Sequence, residues 1–134
     1  MNYNSNGELH GPYIRWHKDG HLAQQGTYSN YNKIGKWLKW YPNKQMSEEI
    51  NYDSNGRFSG PCIRWHDNGQ LAEQGMHSNH NKIGNWLEWY PNKQMNEQKN
   101  YNSNGQLCGP YIRWYDNGQL AEQVTFLNGE KIDG

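Results

Sequence analysis

Residues 35–52 read GKWLKWYPNKQMSEEINY, and this stretch decides the fold because the chain returns to it in altered form along its whole length. It recurs at residues 84–101 as GNWLEWYPNKQMNEQKNY. A second type of unit, GPYIRWHKDGHLAQQGTY at residues 11–28, alternates with it and begins again at Gly60 and Gly109. Successive units start about 25 residues apart, and a fixed period of this size indicates a repeat architecture.

Each unit contains two short runs of aromatic and aliphatic residues separated by a turn, and this pattern predicts a β-hairpin. In the quoted stretch the turn contains Pro42, Asn43 and Lys44. Pro42 suits the first central position of a type I turn, because its ring holds φ at about −65°. Lys44 must then adopt the left-handed conformation of a bulge residue, at a position where the sister units have glycine.

The turn decides which residues share a face of the sheet. Counting outward from it pairs Trp40 with Met46 and Leu38 with Glu48. With strict alternation, one face is nearly the same in every unit, and we interpret this face as the core of the sheet. In the first unit its members are Ile14, Trp16, Leu22 and Tyr28. The opposite face keeps its bulk but varies its charge, which predicts a surface for recognition.

Aromatic and charged residues are interleaved on the predicted recognition face. Trp, Tyr and Arg are enriched at binding hot spots. We therefore predict partner contacts from Tyr13, Arg15, His17, Trp37, Lys39, Tyr41, Arg64, His66, Trp86, Glu88, Tyr90, Arg113 and Tyr115. The same row resembles a stacking platform for single-stranded nucleic acid, although the zero net charge weighs against that function. A purely structural role for aromatic rows on both faces is a further alternative.

The repeat makes residues 1–134 one domain with a thin sheet rather than a globule with a thick core. We predict an all-β, single-layer, elongated antiparallel sheet, a solenoid of about five tandem hairpins. The predicted boundaries are a partial unit at 2–10, followed by units at 11–34, 35–59, 60–83, 84–108 and 109–134.

The composition is polar, with 33% hydrophobic residues and 13 basic against 13 acidic side chains. Seven Trp and ten Tyr nevertheless provide large side chains that can hold a thin sheet together. The sequence has no long apolar run and no signal-peptide pattern. Its two cysteines, Cys62 and Cys108, occupy different positions of their units, which predicts free thiols. We therefore expect a soluble, cytoplasmic protein.

Catalytic and metal-binding constellations do not stand out. Cys62 and His66 share a strand face but lie about 13 Å apart, too far to bind one zinc ion. Glu48 and Glu49 are neighbours on a strand and point to opposite faces. The six histidines accompany no nucleophile in a recognisable setting. The sequence therefore predicts neither an enzyme nor a cofactor.

The unit G-x-[WY]-[IL]-x-W-[YH]-x-[DN]-G-x-L, followed by a closing aromatic residue and an Asn-Gly connector, resembles the bacterial variety of MORN repeat. It is similar to the repeat of antitoxin or immunity proteins of the YwqK type. The resemblance covers residues 3–134 and departs from the pattern at Lys44 and Lys93, where glycine is usual, and at Cys62, where an aromatic residue is usual. It implies a sheet of hairpins without an active site and a role in neutralising a toxin or nuclease by binding it.

These patterns together predict a non-catalytic protein-binding module, an inhibitor, immunity protein or antitoxin that blocks a toxin, nuclease or effector sterically. A single-stranded nucleic-acid binder and a structural or membrane-surface adaptor are the alternatives, and both rank below a protein partner. Self-association through exposed edge strands near Tyr3 and Phe126 also stays open.

Overall fold

The computed structural model describes residues 2–132, which form one open antiparallel sheet of 11 strands. Each strand pairs with its neighbours in the chain, so the strand order of the sheet is the order of the sequence. The strands are β1 (Gly11–Trp16), β2 (Leu22–Ser29), β3 (Asn32–Trp40), β4 (Met46–Tyr52), β5 (Phe58–Trp65), β6 (Leu71–Ser78), β7 (Asn81–Trp89), β8 (Met95–Tyr101), β9 (Gly109–Trp114), β10 (Leu120–Leu127) and β11 (Glu130–Ile132). The predicted all-β, single-layer sheet of successive hairpins is confirmed.

The hairpin turns have the predicted geometry. The amide of Tyr41 donates to the Gln45 carbonyl at 2.8 Å, and the amide of Lys44 donates to the Tyr41 carbonyl at 3.0 Å. Lys44 has a φ of 73°, close to the values of 90° and 86° at Gly20 and Gly69. The left-handed conformation predicted for Lys44 is therefore confirmed.

The register changes one residue beyond these turns. The pairs next to the turns are as predicted: Trp16 with Leu22, Trp40 with Met46, Trp65 with Leu71, Trp89 with Met95 and Trp114 with Leu120. Lys39 then pairs with Glu48, and Leu38 with Glu49, which leaves Ser47 as the extra residue of a bulge. The predicted pairing of Leu38 with Glu48 was wrong by one residue.

The bulge reverses the alternation of side chains in the second strand of each hairpin, which moves the closing aromatic residue to the other face. Tyr28 packs against Tyr13 and Trp37, with ring centroids 5.5 and 5.0 Å apart, rather than beside Ile14 and Trp16. The predicted core face was therefore wrong. Ile14 and Trp16 are 50% and 60% exposed, whereas Trp37 on the opposite face is 3% exposed.

We name the two faces by their residues. The charged face carries an aromatic core and, beside it, the charge row: Arg15, Gln24, Lys39, Glu48, Arg64, Glu73, Glu88, Glu97, Arg113 and Glu122. The tryptophan face carries two rows. The first is Trp16, Leu22, Trp40, Met46, Trp65, Leu71, Trp89, Met95, Trp114 and Leu120. The second is Ile14, Gln25, Leu38, Glu49, Ile63, Gln74, Leu87, Gln98, Ile112 and Gln123.

The aromatic core of the charged face depends on two tryptophans that lie flat on glycine. Trp86 is 1% exposed, and its ring fills the space in which a Cβ at Gly75 would lie. Its Nε1 donates to the Met76 carbonyl at 3.2 Å, and Lys82 Nζ lies 4.5 Å from the ring centroid. Trp37 lies over Gly26 in the same way. In a sheet of one layer, these contacts provide the burial that a second layer usually provides.

Gly75→Ala should lower the free energy of unfolding by at least about 3 kcal/mol, because the new methyl group displaces the Trp86 ring from its buried position. Denaturant unfolding followed by circular dichroism measures the change. Val124→Ala is the matched control: Val124 pairs with Tyr111 as Gly75 pairs with Cys62, and its loss should be about 1 kcal/mol. A Gly75→Ala protein as stable as the wild type would contradict the packing described for Trp86.

Lys44→Gly and Lys93→Gly should each raise the free energy of unfolding by about 0.5 to 1 kcal/mol, because glycine adopts a positive φ without the steric cost of a side chain. Thermal unfolding measures the gain. Lys36→Gly makes the same change inside β3, where glycine should instead destabilise by about 0.5 to 1 kcal/mol. If all three substitutions destabilise the protein, the two lysine turns are not strained.

Candidate functional site

The charge row crosses the sheet with one side chain from each of β1 to β10. The residues pair directly across every neighbouring pair of strands. Near its middle, Arg64 Nε donates to Glu48 at 3.2 Å, and Arg64 also donates to Glu73. Lys39 Nζ lies 3.8 Å from Glu48, on the other side of that carboxylate. This half of the row is a network of alternating charges.

Three glutamates interrupt the alternation. Glu88 lies between Glu73 and Glu97 on neighbouring strands. Burial raises the pKa of the Glu88 carboxyl, and the neighbouring carboxylates of Glu97 and Glu73 raise the pKa further. Lys99 Nζ lies 2.9 Å from Glu97 and partly balances the cluster. Like charges directly opposite each other destabilise a sheet, so the fold gains nothing from a carboxylate at this position.

The two halves of the charge row therefore differ in sign. Lys39 in β3 and Glu88 in β7 occupy equivalent positions of the two sister hairpins, and Gln24 and Glu73 are likewise equivalent. The first three strands contribute Arg15, Gln24 and Lys39, whereas β6 to β8 contribute three glutamates. The side chains of Lys39 and Arg64 are each 42% exposed. The side chains of Glu73 and Glu97 are 14% and 15% exposed, so a partner reaches the basic end of the row more readily than the glutamates.

Four of the predicted contact residues have a structural role at the hairpin turns. His17 Nε2 donates to the Trp40 carbonyl at 2.9 Å, and this bond joins the first hairpin to the second. The equivalent bonds run from Tyr41 to Trp65, from His66 to Trp89 and from Tyr90 to Trp114. Tyr115 occupies the same position in the last hairpin and is 56% exposed.

Two other predicted contact residues are covered by the protein's own side chains. Trp37 and Trp86 are almost fully buried, each beneath a lysine, which corrects their assignment to an exposed surface. The physical reason is the flat packing of each indole ring on a glycine. Tyr13 packs against the Trp37 ring at a centroid distance of 5.6 Å and belongs to the same aromatic core.

The charged members of the predicted set lie together. Arg15, Lys39, Arg64, Glu88 and Arg113 all belong to the charge row, as their alternate positions in the first strands of the hairpins predicted. Sequence reasoning missed the acidic partners in the second strands: Glu48, Glu73, Glu97 and Glu122. A register count that included the bulge would have placed these carboxylates opposite the basic residues.

The cysteine on the charged face is a packing residue. Burial raises the pKa of the Cys62 thiol, which lies between Ile50 and Gly75 in the aromatic core. Cys62 and Cys108 are both free thiols. Within residues 2–132, no group of three or more His, Cys, Asp or Glu side chains is arranged to hold a metal ion. No helix in this part of the chain is long and apolar enough to cross a membrane.

These features define a single-layer sheet of tandem β-hairpins in which each hairpin packs on the next and one face carries a charge row. A family model described as a MORN repeat variant matches the chain five times, at residues 9–30, 33–54, 59–79, 82–103 and 107–128. The chain belongs to this family of MORN repeat variants. A comparison with curated proteins finds no match. MORN repeats are generally non-enzymatic modules that bind proteins or membranes.

Glu88→Gln and Glu88→Lys should both raise the free energy of unfolding at about pH 7 by roughly 0.5 to 1 kcal/mol, because each removes a carboxylate from between two others. The pKa of Glu88 is raised in the folded state. Its protonated form therefore stabilises the fold below the ordinary glutamate pKa, and that stability is lost as the pH rises through the raised pKa.

The gain from Glu88→Gln should accordingly shrink when the pH is lowered to about 4. Thermal unfolding at the two pH values measures it. Glu122→Gln is the control, since Glu122 Oε1 accepts a bond from Arg113 Nε at 3.1 Å and its removal should not stabilise the protein. A gain from Glu88→Gln that is equal at both pH values would show that carboxylate repulsion is not its cause.

Proposed function

We propose that the chain is a non-catalytic module that binds another protein through the charge row. The observation that carries this proposal is the difference between equivalent positions of the two sister hairpins. Lys39 and Glu88 occupy the same position of the same repeat and have opposite charges. The charge of the row therefore changes from one end of the sheet to the other, and a partner with complementary charges can bind in one register.

The stability of the fold does not explain this change of charge along the row. Lys39 lies between Gln24 and Glu48, whereas Glu88 lies between two carboxylates. A lysine at the Glu88 position would have an acidic neighbour on each side. Residue choices that break a local rule of stability are expected at functional sites. We infer that Glu88, with the half-buried Glu73 and Glu97 on either side, gives this part of the surface a negative potential that attracts basic side chains of the partner.

The dimensions of the sheet suit a protein partner. Ten spacings between neighbouring strands give a length of about 48 Å, which is sufficient for a protein interface of standard size. Arg113 at the far end of the row is 50% exposed, and Tyr115 beside it is 56% exposed. Arg and Tyr are among the residue types that contribute most to binding energy.

The specific role that we propose is inhibition. A charged sheet of this length can cover the active surface or the nucleic-acid-binding surface of a toxin or nuclease and block it sterically. The resemblance of the repeats to those of antitoxin and immunity proteins supports this role, and a cytoplasmic location is part of the same proposal. Repeats of this family also bind membranes, but the carboxylates of the charge row would repel lipid and nucleic-acid phosphates.

A charge exchange tests the proposal. The variant Lys39→Glu/Glu88→Lys has the same composition and net charge as the wild type but reverses the sign at both positions. Wild-type protein should capture one protein in stoichiometric amount from a lysate of the cells that encode it, and the exchange should weaken that complex by at least about 100-fold. Purified partner, with its own activity assayed in the presence and absence of the chain, then tests inhibition.

Lys18→Asp/Asp67→Lys is the matched control, because it exchanges the charges of two exposed, equivalent turn residues outside the charge row, keeps the net charge and should leave the complex intact. Equal capture by the exchange variant and the wild type would refute recognition by the charge row. Salt-dependent retention of nucleic acid would instead indicate a single-stranded nucleic-acid binder. Sedimentation with anionic vesicles that is lost in high salt would indicate a membrane-surface adaptor.

A further inference from the structure

The tryptophan face is an apolar surface that the described chain does not cover. Its two rows contain five tryptophans, ten aliphatic or methionine side chains and four glutamines, with Glu49 as their one charged member. Trp16 and Leu120 at the two ends of the first row are 60% and 54% exposed, and Ile14 is 50% exposed. The members between these ends are half-buried by their neighbours along the row.

The accessible surface shows how much of the sheet is uncovered. The chain exposes 8269 Å², whereas a compact monomer of its mass exposes about 7,300 Å². The excess is about 1,000 Å². One face of the sheet, about 48 Å long and about 18 Å wide over the two rows and their margins, has an area of about 900 Å². The excess surface is therefore close to the area of one uncovered face.

We propose that two copies of the chain pack tryptophan face against tryptophan face around a twofold axis, which gives a two-layer β-sandwich. Burial of one face on each copy removes about 1,800 Å² in total, which lies within the range of stable protein interfaces. An apolar face of a sheet is normally buried against a second layer, and a second copy supplies that layer.

The regular spacing of this face favours a second copy over an unrelated protein. The tryptophans project from every second strand, about 10 Å apart, and smaller Leu and Met side chains lie between them. The tryptophans of one copy can fit between the tryptophans of another, because two copies of one chain have the same spacing. The rows repeat almost unchanged, so they carry little information that could select a different partner, in contrast to the charge row.

Charge also favours this choice of face. The tryptophan face brings Glu49 and, beside Leu38 at its margin, Lys36 of each copy into the interface, so two copies meet with one charge of each sign and without extended repulsion. The same contact through the charged face would bury Glu73, Glu88 and Glu97 of both copies at a high cost in desolvation. Packing through the tryptophan face leaves both charge rows exposed on the outer surfaces, so the dimer is compatible with binding of a partner there.

Leu87→Arg tests the proposal in combination with Ile63→Arg, because both side chains lie near the centre of the tryptophan face. Sedimentation equilibrium should give twice the 15.8 kDa chain mass for the wild type and a monomer for the double variant. We expect the dissociation constant to rise by about 100-fold or more. Glu88→Arg, next to Leu87 in β7 but on the opposite face, is the control and should remain a dimer.

A second variant keeps the test decisive if the arginines prevent folding. Leu87→Thr with Ile63→Thr introduces polar residues that strands accommodate well, and circular dichroism verifies the fold. This variant should also dissociate, with a shift of tryptophan fluorescence to longer wavelength as the indoles meet water.

Three results would overturn the proposal. The first is a wild-type monomer at concentrations up to about 100 µM. The second is a dimer that survives both double variants, which would indicate pairing through edge strands instead. The third is a monomer that binds neutral phosphatidylcholine vesicles through the tryptophan face, which would assign this face to a lipid surface. Partner capture through the charge row is measured separately and is independent of these outcomes.

Discussion

The packing of an indole ring on a glycine backbone is the contact on which the rest of this sheet depends. Opposite Gly75 the register between β6 and β7 is irregular, and this irregularity brings Trp86 over the glycine. The ring then contacts His77 at a centroid distance of 5.0 Å and lies beneath the ammonium group of Lys82. Without the ring, the aromatic core on this face would lose the centre around which it packs. A one-layer sheet can therefore bury large residues when a neighbouring position lacks a side chain.

The sequence was sufficient to predict the hairpins, their turns and the strained lysines, because these features depend on local rules for Pro, Gly and aromatic runs. It was not sufficient to assign the faces. The bulge at Ser47 reverses the side-chain alternation, and bulges have no strong local sequence signal. One signal was nevertheless present. Gly26 and Gly75 lie inside strands, where the last hairpin has Val124, and a glycine inside a strand indicates close approach of another group.

The candidate site could be predicted in part for the same reason. Arg15, Arg64 and Arg113 were placed on one face because the first strand of each hairpin precedes the bulge. The carboxylates opposite them follow the bulge, so strict alternation assigned them to the wrong face. The repulsion among the three glutamates depends on how one hairpin pairs with the next. The spacing of residues within one unit does not define this pairing. Cross-strand electrostatics therefore becomes visible only when the complete register is known.

The bonds from His and Tyr side chains to the carbonyl of the next hairpin have a mechanical consequence. Each bond links one hairpin only to its immediate successor, and consecutive strands are also neighbours in the sheet. Because the junctions are in series, a force that pulls the first and last strands apart acts on all of them equally, and the weakest junction opens first. Under tension the protein would lengthen in steps of one hairpin and would behave as a compliant strip rather than a stiff rod.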